Sequence, residues 1–260
     1  MWPFRRKTAE HETGNRPKED FLLAMVDDHV DSRLVVYHEP AGPLAEQYRS
    51  FRTNLRAINP KDEPRTLLFT SAHPREGKSV TVANIACALA ESESLRVALV
   101  DGDLRGGQLH NLFGAPSSPG FSDILRDGVS PRKALQQTAL SNLTLLPAGR
   151  VTDNPGELFA SAYIQELLAF LKRSHNYVIV DTPPALAFAD ARELSKLMDG
   201  VVLVVQINET ARRDAGLVLS QLEIAGANVI GTFVTGTVPE DEGRAPDPHY
   251  DPPEPGPGAR

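Results

Sequence analysis

The sequence predicts an α/β fold: a mostly parallel central sheet with helices on both faces, in three layers. Two observations predict it. Six runs of strand length are near-continuous in Val, Ile and Leu, as strands buried on both faces must be. Most of them are followed by a segment with helical periodicity, which supplies the crossover that parallel neighbours need. The size agrees, since 260 residues with 41% hydrophobic content suffice for one large core.

Taken in order, residues 1–38 mix charges with scattered apolar side chains and read as a mostly disordered arm. Their start, Met1 to Lys7, has no apolar core segment and is not a secretory signal. Residues 43–58 read as a helix, because Leu44, Tyr48, Phe51, Leu55 and Ile58 recur at steps of three and four. Asn59-Pro60 ends it. Strands are expected at 66–70, 96–101, 143–147, 177–181, 201–207 and 229–235, where the apolar runs lie. Helices are expected at 79–89, 121–126, 160–174, 189–198 and 211–225. From Pro239 the composition changes: seven of the last 22 residues are proline and almost none is large and apolar. Such a segment cannot bury enough surface to offset its ordering entropy. The expected organisation is an arm at 1–38, one domain at 39–238 and a Pro-rich acidic tail at 239–260.

Composition excludes several classes. The formal net charge of −7 disfavours a nucleic-acid binder that works through an overall positive field. The single cysteine, Cys87, excludes an intramolecular disulfide framework and a Cys-cluster metal site. No run approaches the ~18 apolar residues that span a bilayer, so no direct membrane span and a cytoplasmic location are expected.

The first strand runs into Ala72-His73-Pro74-Arg75-Glu76-Gly77-Lys78-Ser79, followed by Val80. This matches GxxxxGK[ST] except that Ala72 replaces the first glycine, a change of one methyl group. In such a loop, backbone N–H groups wrap phosphates and the following helix adds its positive end. Gly77 lets the backbone approach closely, Lys78 reaches the outer phosphates, and Ser79 offers a hydroxyl ligand for Mg²⁺.

Two apolar strands then deliver carboxylates. The second ends in Asp101-Gly102-Asp103-Leu104-Arg105, and the fourth in Asp181-Thr182-Pro183-Pro184. Ligands of open α/β sheets bind at the C-terminal ends of strands. Lys78, Asp101, Asp103 and Asp181 are therefore expected at one edge, the constellation that phosphoryl transfer from a Mg-nucleotide uses. Position makes Asp181 the Mg²⁺ anchor, with Asp101 or Asp103 as the base.

The combination of hhhDxDxR, hhhDxxP and a Pro-containing phosphate loop resembles the bacterial tyrosine kinases of capsule and exopolysaccharide synthesis, over residues 34–238. The string Glu46-Gln47-Tyr48-Arg49-Ser50-Phe51-Arg52 fits that family's ExxRxxR helix. The resemblance implies a three-layer P-loop NTPase fold, ATP and Mg²⁺ as cofactors, and autophosphorylation on tyrosine. It implies that Asp101 and Asp103 serve catalysis and Mg²⁺ organisation. It implies that Glu46, Arg49 and Arg52 are contacts in a ring-shaped homo-oligomer, in which one subunit's tyrosine tail enters a neighbour's active site. It further implies recruitment to the inner face of the membrane by a membrane-bound polysaccharide co-polymerase that acts as activator.

The sequence departs from that pattern in carrying one tail tyrosine, Tyr250, as the candidate phosphoacceptor. Gly106-Gly107 stands where the family often has bulkier residues, which would loosen that loop. Two other readings stand beside the kinase. A partition or Min-like switch ATPase would carry a lysine at the second loop position, where His73 stands. A non-catalytic ATP-bound regulator would not need the full set of Lys78, Ser79, Asp101, Asp103 and Asp181.

Overall fold

The computed structural model describes residues 29–152 and 154–236. Seven strands form one sheet in the order β3-β4-β2-β5-β1-β6-β7. They are β1 (Arg65–Ser71), β2 (Val97–Asp101), β3 (Gln136–Gln137), β4 (Leu143–Leu146), β5 (Tyr177–Asp181), β6 (Gly200–Gln206) and β7 (Val229–Thr235). Every neighbouring pair is parallel except β3 with β4.

Each central strand feeds two cores by its period of two. Leu67, Phe69, Leu99 and Ile179 point to one face, where α1 (Val35–His38), α2 (Pro43–Ala57) and α3 (Lys78–Ala90) pack. Leu68, Ala98, Val100, Val178 and Val180 point to the other. That face is covered by α5 (Phe121–Asp127), α7 (Pro155–Phe159), α8 (Tyr163–Ser174), α9 (Asp190–Ser195) and α10 (Arg212–Ile224). Both faces of β1, β2 and β5 are dry, which is why these strands read as unbroken apolar runs. Helix α3 is apolar nearly all round and buried from Thr81 to Ala90. Two short helices, α4 (Leu109–Leu112) and α6 (Pro131–Ala134), complete the set among the described residues.

The domain starts earlier than expected. Residues 30–38, assigned to a disordered arm, are packed: Val30, Leu34 and Val36 are buried in the core. Asn84 of α3 holds them, accepting from the Val36 N–H (3.0 Å) and donating to the Arg33 carbonyl (2.9 Å). One turn of helix carries too little periodicity to be seen in sequence. The same limit hid β3, which is two residues long, and the short helix α7; the helix expected at 160–174 is α8. The rest of the arm and the tail, with Tyr250, lie outside the described residues. No helix among the described residues is long and apolar enough to cross a membrane.

Candidate active site at the C-terminal edge of the sheet

Parallel register sets the carboxylates side by side. Asp181 ends β5 opposite Asp101 at the end of β2, and opposite Phe69 near the end of β1. Strand β1 continues into the loop 72–77, and α3 begins at Lys78. The loop thus leaves the strand beside the one that carries Asp181.

The loop's backbone is held in uncommon conformations. Gly77 has φ 77° and caps α3, a conformation glycine adopts without steric cost. Arg75 has φ 69°, which a side chain makes unfavourable. The loop is braced against that strain. The Glu76 carboxylate is buried, accepting from the His73 N–H (3.0 Å) and the Thr210 hydroxyl (2.5 Å). The Thr235 hydroxyl donates to the Glu76 carbonyl (3.0 Å). The His73 ring meets Asp214 at 2.8 Å. Residues just past β6, on α10 and at the end of β7 therefore clamp the phosphate loop.

At its base, Lys78 Nζ donates to Asp181 Oδ1 (2.5 Å) and to Ser79 Oγ (3.3 Å). The Ser79 hydroxyl donates to Asp181 Oδ2 (2.6 Å). Lys78 and Asp181 are both buried. A buried cation and anion stay charged only by pairing. Ser79 and Asp181 provide hard oxygen donors side by side, which fits Mg²⁺. That ion takes one or two protein oxygens and completes its shell with water and phosphate.

Asp101 is fully buried. Its Oδ1 accepts from the Asp103 N–H (3.2 Å) and its Oδ2 from the Leu109 N–H (3.0 Å). Burial, and then the neighbouring Asp181 charge, push its carboxyl up to about 8. Asp103 is half-buried, and burial raises it as well. Its Oδ1 accepts from the Arg105 and Gly106 N–H groups (3.1 and 3.2 Å).

Gly107 corrects the expectation of a loosened loop. A Cβ there would lie 2.4 Å from Asp101 Oδ1. The glycine admits the buried carboxylate, while at Gly106 nothing lies within 4 Å.

Of the residues expected from sequence, Lys78, Ser79, Asp101, Asp103 and Asp181 meet at this edge. Ala72 is buried and Gly77 forms the N-cap. Pro74 and Arg75 lie exposed at the loop tip. The Val80 carbonyl accepts from Asn84, and its side chain packs on the α2/α3 core. Glu46, Arg49 and Arg52 lie apart on α2. There Arg49 clasps Glu91 (2.6 Å) and Glu46 (3.3 Å), and Arg52 clasps Glu91 (2.8 Å) and the Ala88 carbonyl (2.7 Å).

Two groups escaped the sequence reading. The brace from Thr210, Asp214 and Thr235 is one. The other is Arg105, which grips buried Asp190 at 2.8 Å and lies 4.6 Å over the Phe188 ring. The arginine of DxDxR was the available signal. A cavity of about 390 Å³ opens at the opposite edge of the sheet, beside Arg65 and Tyr177, away from all of these residues.

Comparison with known proteins places this geometry. The ParA family model, described as an NUBPL iron-transfer P-loop NTPase, matches residues 65–234. The chain is 33% identical over 203 residues to the tyrosine-protein kinase YwqD of Bacillus subtilis, covering 78% of this chain and 85% of that one. It is 29% identical over 203 residues to the putative tyrosine-protein kinase CapB of Staphylococcus aureus, covering 78% and 89%. The solved kinase domain of Escherichia coli tyrosine kinase ETK superposes with a TM-score of 0.76 at 28% identity. That match covers 91% of this chain and 86% of that one.

Proposed function

We propose, because this chain belongs to the bacterial tyrosine-protein kinases within the ParA-type P-loop NTPases, that it transfers the γ-phosphoryl group of ATP to tyrosine. Binding of nucleotide follows from the family. The observation that carries the reading is the contact of Lys78, Ser79 and Asp181, with Asp101 in register beside them.

Lys78 would hold phosphate oxygens, and Asp181 and Ser79 would hold Mg²⁺ through their oxygens. Bound Mg²⁺ supplies charge neutralisation on the phosphates. The tyrosine oxygen forms a bond to the γ-phosphorus as the bond to the β-phosphate oxygen breaks, and ADP leaves. The phenolic proton passes to a carboxylate. Asp103 suits that role better than Asp101. It is partly exposed, and its two backbone donors both bind Oδ1. Asp101 is fully buried with both oxygens already bonded, which suits it to organising the loop and the metal side.

Tyr250 is the proposed acceptor. The polypeptide works as a homo-oligomer in which Glu46, Arg49 and Arg52 contact a neighbour. A membrane-bound polysaccharide co-polymerase activates it at the inner face of the cell membrane, in capsule or exopolysaccharide synthesis. Names of the relatives support the kinase reading.

The test is to incubate the full-length protein with ATP and Mg²⁺ and follow both products. Phosphotyrosine is expected. Free phosphate without phosphotyrosine favours a switch ATPase, and neither product favours a non-catalytic regulator.

A further inference from the structure

Thr235, the last residue of β7, lies at the phosphate loop. Its hydroxyl donates to the Glu76 carbonyl, and its side chain lies 3.8 Å from where a Cβ on Gly77 would sit. The chain that follows therefore departs from the rim of the active site. Residues 237–260 contain six acidic residues against Arg244 and Arg260. Three of the six, Glu240, Asp241 and Glu242, come within six residues of Gly236.

The rim at that exit is basic. Arg75, Arg212 and Arg213 are exposed, and none makes an ion pair among the described residues. They share one neighbourhood by a simple bracket. His73 and Glu76, on either side of Arg75, contact Asp214 and Thr210, on either side of Arg212 and Arg213. Asp214 is already engaged by His73, leaving Glu209 as the rim's unpaired carboxylate.

We infer that Arg75, Arg212 and Arg213 form a docking rim for this chain's own acidic run, Glu240-Asp241-Glu242. Charge complementarity and the place where the chain leaves β7 both favour that occupant. Four to six residues beyond Gly236 reach about 13–22 Å when extended, so the run can reach the rim of its own molecule. Docking there tethers Tyr250, eight residues beyond Glu242, within about 29 Å of the docked run. A tether of that length keeps the tyrosine at an effective concentration on the order of millimolar. The kinetic consequence rests on the reading of Tyr250 as acceptor; the docking itself does not.

The test uses the full chain carrying Glu240→Lys, Asp241→Lys and Glu242→Lys, which empties the rim of its own run. A fluorescent peptide of residues 237–260 is titrated against it by anisotropy, with and without Arg212→Glu and Arg213→Glu. Acidic residues in a first helical turn favour the helix, so this reversal leaves α10 folded, as its melting temperature will show. Reversal should weaken peptide binding about tenfold or more, and binding should weaken with salt. Unchanged peptide affinity overturns the docking rim. So does an equal loss of nucleotide affinity, which would mean that the arginines hold phosphates instead.

The second readout is Tyr250 phosphorylation of the otherwise unaltered chain under ATP and Mg²⁺. Arg212→Glu with Arg213→Glu should lower it about tenfold, leaving nucleotide affinity within about twofold. Peptide docking with no Tyr250 labelling in the unaltered chain supports the rim and removes Tyr250 as acceptor.

Discussion

Lys78 and Asp181 compensate each other's charge in a buried setting, and this makes the lysine a structural as well as a chemical residue. Lys78→Ala removes the phosphate-contacting cation and strands the carboxylate. ATP turnover should disappear, and stability should fall by about 3–5 kcal/mol, as for a broken buried pair. Turnover at the level of the unaltered protein would sink the site assignment. Asp101 gives a pH signature. Its folded value, about 8, lies above the ordinary 3.8. A carboxyl raised in this way contributes stability that is full below about pH 4 and is lost as pH rises through 8. Asp101→Asn should therefore flatten the fall in melting temperature between those limits. An unchanged slope would contradict the burial argument. Glu76 is the third test. Glu76→Ala leaves the His73 N–H and the Thr210 O–H without acceptors, while the Thr210 oxygen still accepts from the Gln206 N–H, costing about 1–3 kcal/mol. Calorimetry should also find weaker nucleotide binding, since the loop loses its brace. Unchanged affinity would mean that the loop holds its shape without Glu76.

At the scale of elements, the strands were the legible part. The strand at 177–181 appears with the expected bounds, because dry two-sided burial writes a continuous apolar run into the sequence; the edge strand at 229–235 also keeps its expected bounds although it is only partly buried. The phosphate loop and its carboxylates were legible for the same reason: strand ends place them. The loop's brace was not. Thr210 and Thr235 lie 134 and 159 residues from Glu76, and ordinary threonines carry no local signal. Helix α1 was missed because its order comes from Asn84, 48 residues away, rather than from its own periodicity. Asn84→Ala should detach that turn, at a cost of about 1–3 kcal/mol for the orphaned Val36 N–H. Amide exchange over residues 33–38 would show it; full protection in the variant would contradict the pinning role.

For the whole molecule, the arginines of α2 serve the single chain before they serve any assembly. Arg49 and Arg52 close on Glu91 at the C-terminal end of α3, so the α2/α3 layer is pinned within one subunit. Partly exposed pairs of this kind are worth about 1 kcal/mol or less. Arg49→Ala with Arg52→Ala should therefore cost little stability. If α2 is also the subunit interface, the double variant should shift the oligomer's size on a sizing column with ATP bound. An unchanged profile would leave these arginines as an intramolecular clasp. The acidic character of the molecule divides in the same way, between carboxylates gathered at one sheet edge and a tail that leaves beside them. The central claim is that this edge moves a phosphoryl group onto tyrosine. It is tested most directly by measuring phosphotyrosine per chain, by mass spectrometry, in the full-length protein and in Lys78→Ala after incubation with ATP and Mg²⁺. Phosphotyrosine in the former and none in the latter is the predicted result; equal phosphotyrosine in both, or released phosphate with no phosphotyrosine, would contradict it.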